Sequence, residues 1–384
     1  MVHDYFAPCT LGVEGIVAEE LAGLRAENIE QRRGGVAFRG DKRLGYVANL
    51  WLRSAVRVQQ LVLDVPVRMK EELYGSVTEV EWERWLDVDG TLAIDASVRD
   101  SAITHSGFAA LTAKDAIVDR FRKKFGRRPN VDVADPRLPI KLTLLKDRLR
   151  LYVNLSGESL HKRGWRPIQV KSPLNEAIAA GLLLASGWDR KSALVDPMCG
   201  SGTFVIEAAC IAADRAPGLL RRFAFERFPD FDARGWAILK ADAVQRAKLA
   251  LPFALVGADR HPGAIEIAKR SARGAQVEGL VSFSHQGLDE FVPPMAPPFT
   301  VVTNPPWGVR LGEGEELRDS WDALGRFLHQ RAQGCHAYVL SGDSELPRFL
   351  GLRASRKFPL MDGPIECRFL RYDVFDAGAQ PPRA

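Results

Sequence analysis

The second half of the sequence alternates short apolar runs with helical patterns, and this feature constrains the fold most. Apolar runs occur at residues 193–195, 253–256, 300–302, 337–340 and 365–372. Helical patterns cover residues 174–186, before the first run, and residues 203–213 and 263–275, which each follow a run. Such alternation is typical of a mostly parallel sheet with helices on both faces, so we expect a doubly wound α/β fold there.

A glycine-rich turn, residues 195–203 (VDPMCGSGT), joins an apolar run to a helical pattern. Its glycines would let a ligand approach the backbone at the carboxyl end of a strand, where open α/β sheets bind ligands. The turn lacks both the GxGxxG of dinucleotide folds and the lysine of a P-loop. The carboxylate of Asp196 instead suits a ligand with ammonium and sulfonium charges, as in S-adenosylmethionine. A plain strand-to-helix turn is the alternative.

Asp259 follows the next apolar run and should lie at the same edge of the sheet. Its carboxylate could accept hydrogen bonds from two ribose hydroxyls. A lone Asp before Pro262 could equally be a helix N-cap. The presence of Asp196 one strand away favours the ribose interpretation.

The segment 303–308 (TNPPWG) ends a further apolar run and predicts the chemistry. An exocyclic base amine is a poor nucleophile because its lone pair is delocalised into the ring. The side-chain carbonyl of Asn304 and the backbone carbonyl of Pro305 could hold its hydrogens and aim its lone pair at a methyl group. Pro306 would stiffen this turn, and Trp307 offers a stacking face for the base. A rigid turn with a core tryptophan is the alternative, but it does not account for the asparagine.

The five cysteines, Cys9, Cys199, Cys210, Cys335 and Cys367, are odd in number and never spaced as CxxC. Neither a disulfide framework nor a zinc site is expected. Cys199 lies in the glycine-rich turn and not beside the base motif, so we predict that it packs and does not act as a nucleophile.

The three motifs, in this order and at strand ends, resemble class I S-adenosylmethionine-dependent methyltransferases. Asn-Pro-Pro-aromatic is the signature of their amino-methylating branch, which acts on adenine N6, cytosine N4, guanine N2 and protein glutamine. The N-terminal half resembles the THUMP-containing RNA methyltransferases, above all the RlmL-type guanine-N2 enzymes of large-subunit ribosomal RNA. The matching segments are 34–38 (GGVAF), 48–51 (ANLW), 105–108 (HSGF), 114–117 (KDAI), 127–129 (RRP), 155–166 (LSGESLHKRGWR), 172–176 (SPLNE), 206–209 (IEAA) and 215–219 (RAPGL).

The resemblance implies an α/β Rossmann-like class I methyltransferase domain preceded by α+β ferredoxin-like and THUMP domains. The predicted boundaries are 1–65 for the ferredoxin-like domain, 66–160 for THUMP, 161–180 for a linker, 181–376 for the methyltransferase domain and 377–384 for a tail. An insertion at 217–249 explains the long separation of Asp196 and Asp259. The chain should be the form with a single methyltransferase domain.

The resemblance also assigns site residues. Asn304, Pro305, Pro306 and Trp307 would hold the base. The cofactor would contact Asp196, Pro197, Met198, Gly200, Ser201, Gly202, Thr203, Asp259, Arg260, Pro173 and Asp289. RNA would contact His105, Lys114, Arg122, Lys123, Lys124, Arg127, Arg128, Lys162, Arg163 and Arg166.

Two positions depart from the family pattern. Gly287 stands where relatives carry an acidic residue that binds the adenine amine, so Asp289, Gln286 or backbone groups would take that role. Trp307 stands where relatives mostly have Tyr, which keeps stacking but removes a phenol hydrogen bond.

The basic side chains around 120–128 also suit the C-terminal dipole of the helix predicted at 110–125, so a solvated helix end is their alternative. With 53 Lys and Arg against 48 Asp and Glu, the net charge of +5 is compatible with a polyanionic partner but does not identify one. No apolar run reaches the roughly 18 residues of a membrane span, and no signal peptide is evident, so a cytoplasmic protein is expected.

The leading hypothesis is methyl transfer to guanine N2 of RNA, with 23S ribosomal RNA as substrate and no metal. The alternatives are guanine N2 of transfer RNA, adenine N6 of DNA or RNA, and an RNA-binding assembly factor without activity. The oligomeric state is open.

Overall fold

The structure is a computed structural model that describes residues 1–166, 174–308 and 314–375. The chain divides into two compact units. Unit 1 comprises residues 1–8, 18–160 and 221–241, and unit 2 comprises residues 9–17, 161–220 and 242–384. Part of the predicted insertion, residues 221–241, falls in unit 1 of this division. The predicted domain boundaries themselves stay predictions.

Fifteen strands are found among the described residues. Unit 1 contains β1 (Val2–Pro8), β2 (Glu27–Arg32), β3 (Gly35–Asp41), β4 (Gln59–Pro66), β5 (Thr91–Arg99), β6 (Asn130–Val131), β7 (Leu138–Leu145) and β8 (Arg148–Asn154). Unit 2 contains β9 (Leu194–Asp196), β10 (Leu255–Asp259), β11 (Ser282–His285), β12 (Thr300–Thr303), β13 (His336–Ser341), β14 (Arg356–Asp362) and β15 (Ile365–Asp373).

Nine α-helices accompany these strands in the described part of the chain. They are α1 (Glu14–Gly23), α2 (Lys42–Trp51), α3 (Lys70–Glu79), α4 (Ser106–Phe125), α5 (Glu176–Ala185), α6 (Thr203–Ala212), α7 (Ala233–Arg246), α8 (Pro262–Gly274) and α9 (Gly314–Arg331). Helices α1 and α7 have residues in both units. None of the helices seen in the described residues is long and apolar enough to cross a membrane.

Unit 1 is built on one eight-stranded sheet with the order β2-β3-β1-β4-β8-β7-β5-β6. Alternate residues of β7, including Leu138, Ile140 and Leu142, are buried, because one face of the strand covers the core. Helix α4 begins after His105, whose Nδ1 accepts the Phe108 N–H, and it ends at a left-handed glycine. The cationic end of this long helix is thereby fixed on unit 1.

Unit 2 is built on a seven-stranded sheet with the order β11-β10-β9-β12-β13-β15-β14. The first five strands in this order, β11, β10, β9, β12 and β13, are parallel to one another, and β15 runs antiparallel to both β13 and β14. Successive residues such as Leu194 and Val195 belong to separate apolar cores, because both faces of the sheet are covered. The predicted mostly parallel α/β sheet is confirmed.

Candidate cofactor and acceptor site

Three neighbouring parallel strands of unit 2 end in polar residues at one edge of the sheet. Asp196 ends β9, Asp259 ends β10 and Thr303 ends β12. The hydroxyl of Thr303 donates to Asp196 Oδ1 at 2.7 Å. The N–H of Gly200 donates to Asp259 Oδ2 at 2.9 Å. The structure thus brings the predicted cofactor loop, the predicted ribose carboxylate and the acceptor motif into one site.

The turn between β9 and α6 requires glycine at two positions. Gly200 and Gly202 have φ angles of +52° and +79°, in the left-handed region. A Cβ at Gly202 would lie 2.9 Å from the Phe283 ring and 3.0 Å from the Ala268 side chain, whereas the space beside Gly200 is open. This backbone fits the close approach of a ligand, as the sequence predicts.

Asp196 is a buried carboxyl with an unusual acidity. Its residue is 2% exposed, and burial raises the pKa of this carboxyl to about 7. Hydrogen bonds from Thr303 and the Met198 N–H oppose that rise, and the nearby charge of Asp259 adds to it. A cationic ligand beside Asp196 would stabilise its ionised form. The carboxyl of Asp196 therefore fits the positively charged ammonium and sulfonium groups of S-adenosylmethionine.

The thiol of Cys199 is buried in the same turn. Burial raises the pKa of this thiol well above its usual value, with a further rise from the charges of Asp196 and Asp259. A neutral thiol is a poor nucleophile. Its burial is what the packing interpretation predicts.

The turn after β12 is held by two indole N–H groups. Trp307 Nε1 donates to Asn304 Oδ1 at 2.8 Å, and Trp321 Nε1 donates to the Pro306 carbonyl at 2.9 Å. The Trp307 ring lies against Gly342, where a Cβ would come within 2.5 Å of the ring carbon Cζ3. The two prolines and these contacts make the turn rigid before any base is present.

Thr303 and Trp321 belong to the site but were not predicted from the sequence. A signal existed for Thr303, because it lies between an apolar strand and Asn304. The two partners Thr303 and Asp196 are 107 positions apart in sequence, so their contact depends on the strand order. Trp321 is fully buried and lies on α9, a helix that was not predicted from the sequence.

The remaining predicted cofactor residues differ in their exposure to solvent. Pro197 is buried, and the half-buried Met198 packs against the apolar core. Ser201 and Thr203 both accept hydrogen bonds from the guanidinium of Arg166, at 3.4 and 3.1 Å. Pro173 lies outside the described residues.

Arg260 and Asp289 are exposed. Arg260 Nε contacts the ring nitrogen Nε2 of His261 at 3.3 Å, and Asp289 forms an ion pair with Arg326 at 3.2 Å. At the position of the missing acidic residue, the space beside Gly287 is open. The Gln286 N–H donates to the Asp259 carbonyl at 3.1 Å. A backbone hydrogen bond therefore holds Gln286 next to Asp259, the residue predicted to bind the ribose.

The basic stretch at 161–166 is divided between surface and interior. Lys162 is exposed, whereas Arg163 is buried and its Nε lies 3.2 Å from Glu207 Oε1. Arg166 is half-buried and pairs with Glu176 at 2.8 Å. These positions do not support direct phosphate contacts by the two arginines, because their guanidinium groups already bind side chains around the cofactor loop.

The predicted RNA-binding cations of α4, and Arg127 and Arg128 just after its end, belong to unit 1, and most of them have carboxylate partners. Both Arg120 and Lys124 contact Glu83, and the Arg120 guanidinium is the main cause that lowers the pKa of Glu83 to about 2. The other ion pairs are Arg122 with Asp119, Arg127 with Asp89 and Lys114 with Asp115. Lys123 and Arg128 are exposed, and neither is among the ion pairs of the described chain.

Metal binding by side-chain clusters finds no support in residues 1–166, 174–308 and 314–375. No group of three or more His, Cys, Asp or Glu there could hold a metal ion.

Three family descriptions match successive parts of the chain. They are an RlmL ferredoxin-like domain at residues 4–59, a THUMP domain at 68–154 and an RMKL-like methyltransferase domain at 163–371. The last of these covers more than half of the chain.

Curated relatives match over nearly the whole chain. The ribosomal RNA large subunit methyltransferase K/L of Syntrophotalea carbinolica is 40% identical over 99% of this chain and 55% of its own length. The Synechocystis sp. protein slr0064, whose name calls it an RNA methyltransferase, is 36% identical over 97% of both chains. The chain therefore spans about half the length of the K/L relatives and nearly all of the shorter one.

A solved structure has the same fold throughout. SMU.472, described as a methyltransferase in complex with S-adenosylhomocysteine (SAH), superposes with a TM-score of 0.89 and 28% identity. The match covers 99% of each chain.

Proposed function

Because the chain belongs to the RlmL-like, THUMP-containing RNA methyltransferases, we propose that it methylates the N2 amine of a guanine in 23S ribosomal RNA, using S-adenosylmethionine. One observation carries this proposal: the hydrogen bond from Thr303 to Asp196 joins the cofactor carboxylate to the residue that precedes Asn304. The methyl donor and its acceptor would therefore meet at this edge of the sheet.

The cofactor supplies a methyl group on a positively charged sulfur when it is bound. Asp196 and the turn at Gly200 and Gly202 would take its methionine part. Each oxygen of Asp259 already accepts one backbone N–H, from Gly200 and His261, which fixes the plane of this carboxylate. The remaining lone pairs are available for two ribose hydroxyls. Gln286 is a candidate for the adenine contact, because its backbone N–H is hydrogen-bonded to the Asp259 carbonyl and the residue therefore lies next to the proposed ribose site.

The acceptor amine would be held by Asn304 Oδ1 and the Pro305 carbonyl. Two acceptors in a rigid turn fix both amine hydrogens, so the nitrogen lone pair is directed out of the ring plane and toward the methyl group. As the new N–C bond would form, the bond between the methyl carbon and the sulfonium sulfur would break and leave a neutral thioether. The amine, then cationic, would lose one proton to water. Such a direct transfer requires no covalent catalyst from the chain, which agrees with the neutral, buried Cys199.

RNA would be held by unit 1. Its match to a THUMP domain and the exposed cations at the end of α4 support this role. Exposed ion pairs contribute only about 0–1 kcal/mol each, so a phosphate can replace a carboxylate partner at little cost. The choice of 23S ribosomal RNA follows the names of the K/L relatives, which this chain matches over about half of their length.

Nucleoside analysis of a strain that lacks the gene tests the substrate. We expect one N2-methylguanosine to disappear from large-subunit ribosomal RNA and to return when the gene is restored. Its loss from transfer RNA instead would change the substrate but keep the chemistry. Loss of a methyladenine from DNA, with unchanged RNA, would contradict the proposal.

A further inference from the structure

We infer that the indole N–H of Trp307 is a positioning group that holds the Asn304 amide in the orientation which accepts the substrate amine. This inference rests on the proposed function, because it assigns Asn304 Oδ1 as an acceptor of amine hydrogens. It gives Trp307 a second role beside stacking on the base. The observation behind it is the 2.8 Å hydrogen bond from Trp307 Nε1 to Asn304 Oδ1.

An asparagine amide can face a partner with its oxygen or with its NH₂ group. Only the oxygen can receive an amine hydrogen, and the NH₂ group would oppose the amine with two donors. The indole Nε1–H is a donor only, so it favours the rotamer in which Oδ1 faces Trp307. The carbonyl oxygen has two lone pairs. It can accept from Trp307 and from the base amine at the same time.

The indole is itself fixed by its surroundings. Gly342 follows the end of β13, and the absence of a side chain there lets the six-membered part of the indole lie against the backbone. Trp321 holds the Pro306 carbonyl, so the backbone between Asn304 and Trp307 is restrained as well. Both Asn304 and Trp307 are half-buried, where a hydrogen bond is less exposed to competition from water.

The position after the two prolines therefore combines a flat face with a donor. Phenylalanine would keep the face and lose the donor. An isosteric analogue, benzothienylalanine, replaces the indole N–H by sulfur and keeps the size and shape of the ring. Comparing the two separates the positioning role from stacking.

The test measures single-turnover methylation of the RNA substrate by full-length protein with Trp307→Phe or with benzothienylalanine at position 307. We expect both rates to fall about 10- to 100-fold, as for the loss of one orienting hydrogen bond. The S-adenosylmethionine dissociation constant and the RNA KM should each stay within about twofold of native. A fall in rate without a change in affinity is not what a merely structural defect produces.

Trp188 provides the matched control. Its Nε1 donates to the Ser192 carbonyl at 3.1 Å in the same unit, outside the motifs of the site. The analogue at position 188 should leave the rate within about twofold of native. A spectroscopic readout is independent of activity: with isotope-labelled tryptophan, the indole N–H resonance of Trp307 should shift in Asn304→Ala.

The outcomes separate the inference from the proposed function. If Asn304→Ala is inactive but the analogue at position 307 supports the native rate, the positioning role is wrong and the acceptor site stands. An unshifted Trp307 resonance in Asn304→Ala would also overturn the positioning role. If Asn304→Ala itself transfers methyl groups at the native rate, the proposed acceptor site is wrong, and the inference is lost with it.

Discussion

Two polar regions of this chain have opposite physical character. At the sheet edge of unit 2, Asp196 and Thr303 are almost completely buried and hydrogen-bonded to each other. At the end of α4 in unit 1, the side chains of Arg122 and Arg127 are 57% and 66% exposed and pair with exposed carboxylates. The difference between the two regions is the one expected between binding of a small ligand and binding of RNA. A site for a small ligand uses a few buried contacts, each of which contributes a large free energy. A surface that binds a polyanion uses many exposed charges, each of which contributes a small free energy.

The largest expected effect concerns the buried ion pair of Arg163 and Glu207, whose side chains are 2% and 1% exposed. Replacing only the arginine leaves a buried carboxylate without its cation. We expect Arg163→Met to lower the free energy of unfolding by about 3–5 kcal/mol, measured by urea denaturation. The control Arg122→Ala removes an exposed pair and should change it by less than about 0.5 kcal/mol. Equal effects of the two variants would show that the buried pair contributes no more to stability than the exposed one.

A smaller effect is expected in the pH dependence of cofactor binding. Because the pKa of Asp196 is about 7, the free protein holds a proton on this carboxyl below that pH. A cationic cofactor needs the ionised form, so binding releases the proton. The S-adenosylmethionine affinity measured by calorimetry should fall up to about tenfold per pH unit below 7 and be flat above it.

Asp196→Asn is the control for that pH dependence. It should bind the cofactor about 10- to 100-fold more weakly at pH 8, because a charge-assisted contact is lost. Its affinity should not change between pH 6 and pH 8. If the affinity of this variant still falls below pH 7, the proton released on cofactor binding comes from a group other than Asp196.

The smallest individual effects are expected at the exposed cations Lys123 and Arg128. Replacing either by alanine should weaken RNA binding about 3- to 10-fold at low salt and reduce the slope of log affinity against log salt by about 0.7–0.9. Cofactor binding should not change. Arg99, which is also exposed but lies at the end of β5, serves as the matched control. If Arg99→Ala weakens RNA binding equally, the end of α4 is not the contact surface.

The parallel sheet and its ligand edge could be predicted from sequence because they depend on local patterns. Apolar runs followed by Asp196, Asp259 and Asn304 indicate strand ends, and strand ends of a parallel sheet share an edge. Helix α9 was not predicted, although Leu317, Trp321, Leu324 and Leu328 have helical spacing in the sequence. That signal was present and could have been used.

Other features could not be predicted because they depend on distant partners. Residues 221–241 belong to unit 1, where the ring of Phe225 stacks on Tyr46 with centroids 4.3 Å apart. No local pattern connects these two positions, because the whole THUMP match at 68–154 and the elements α5, β9 and α6 of unit 2 lie between them in the sequence. The basic stretch at 161–166 was predicted to contact RNA. Arg163 is instead buried, where it pairs with Glu207 on α6. Charge alone does not distinguish a surface cation from a buried one.

The role of Asn304 as the acceptor of the amine hydrogens can be tested directly. Purified Asn304→Ala is combined with S-adenosylmethionine and the RNA substrate in a single turnover, and cofactor binding is measured by calorimetry on the same preparation. We expect a transfer rate lower by about 10²–10³-fold or more, with a nearly native cofactor dissociation constant, because only the acceptor amine loses its partner. Methylation at the native rate by this variant would show that Asn304 does not hold the acceptor amine.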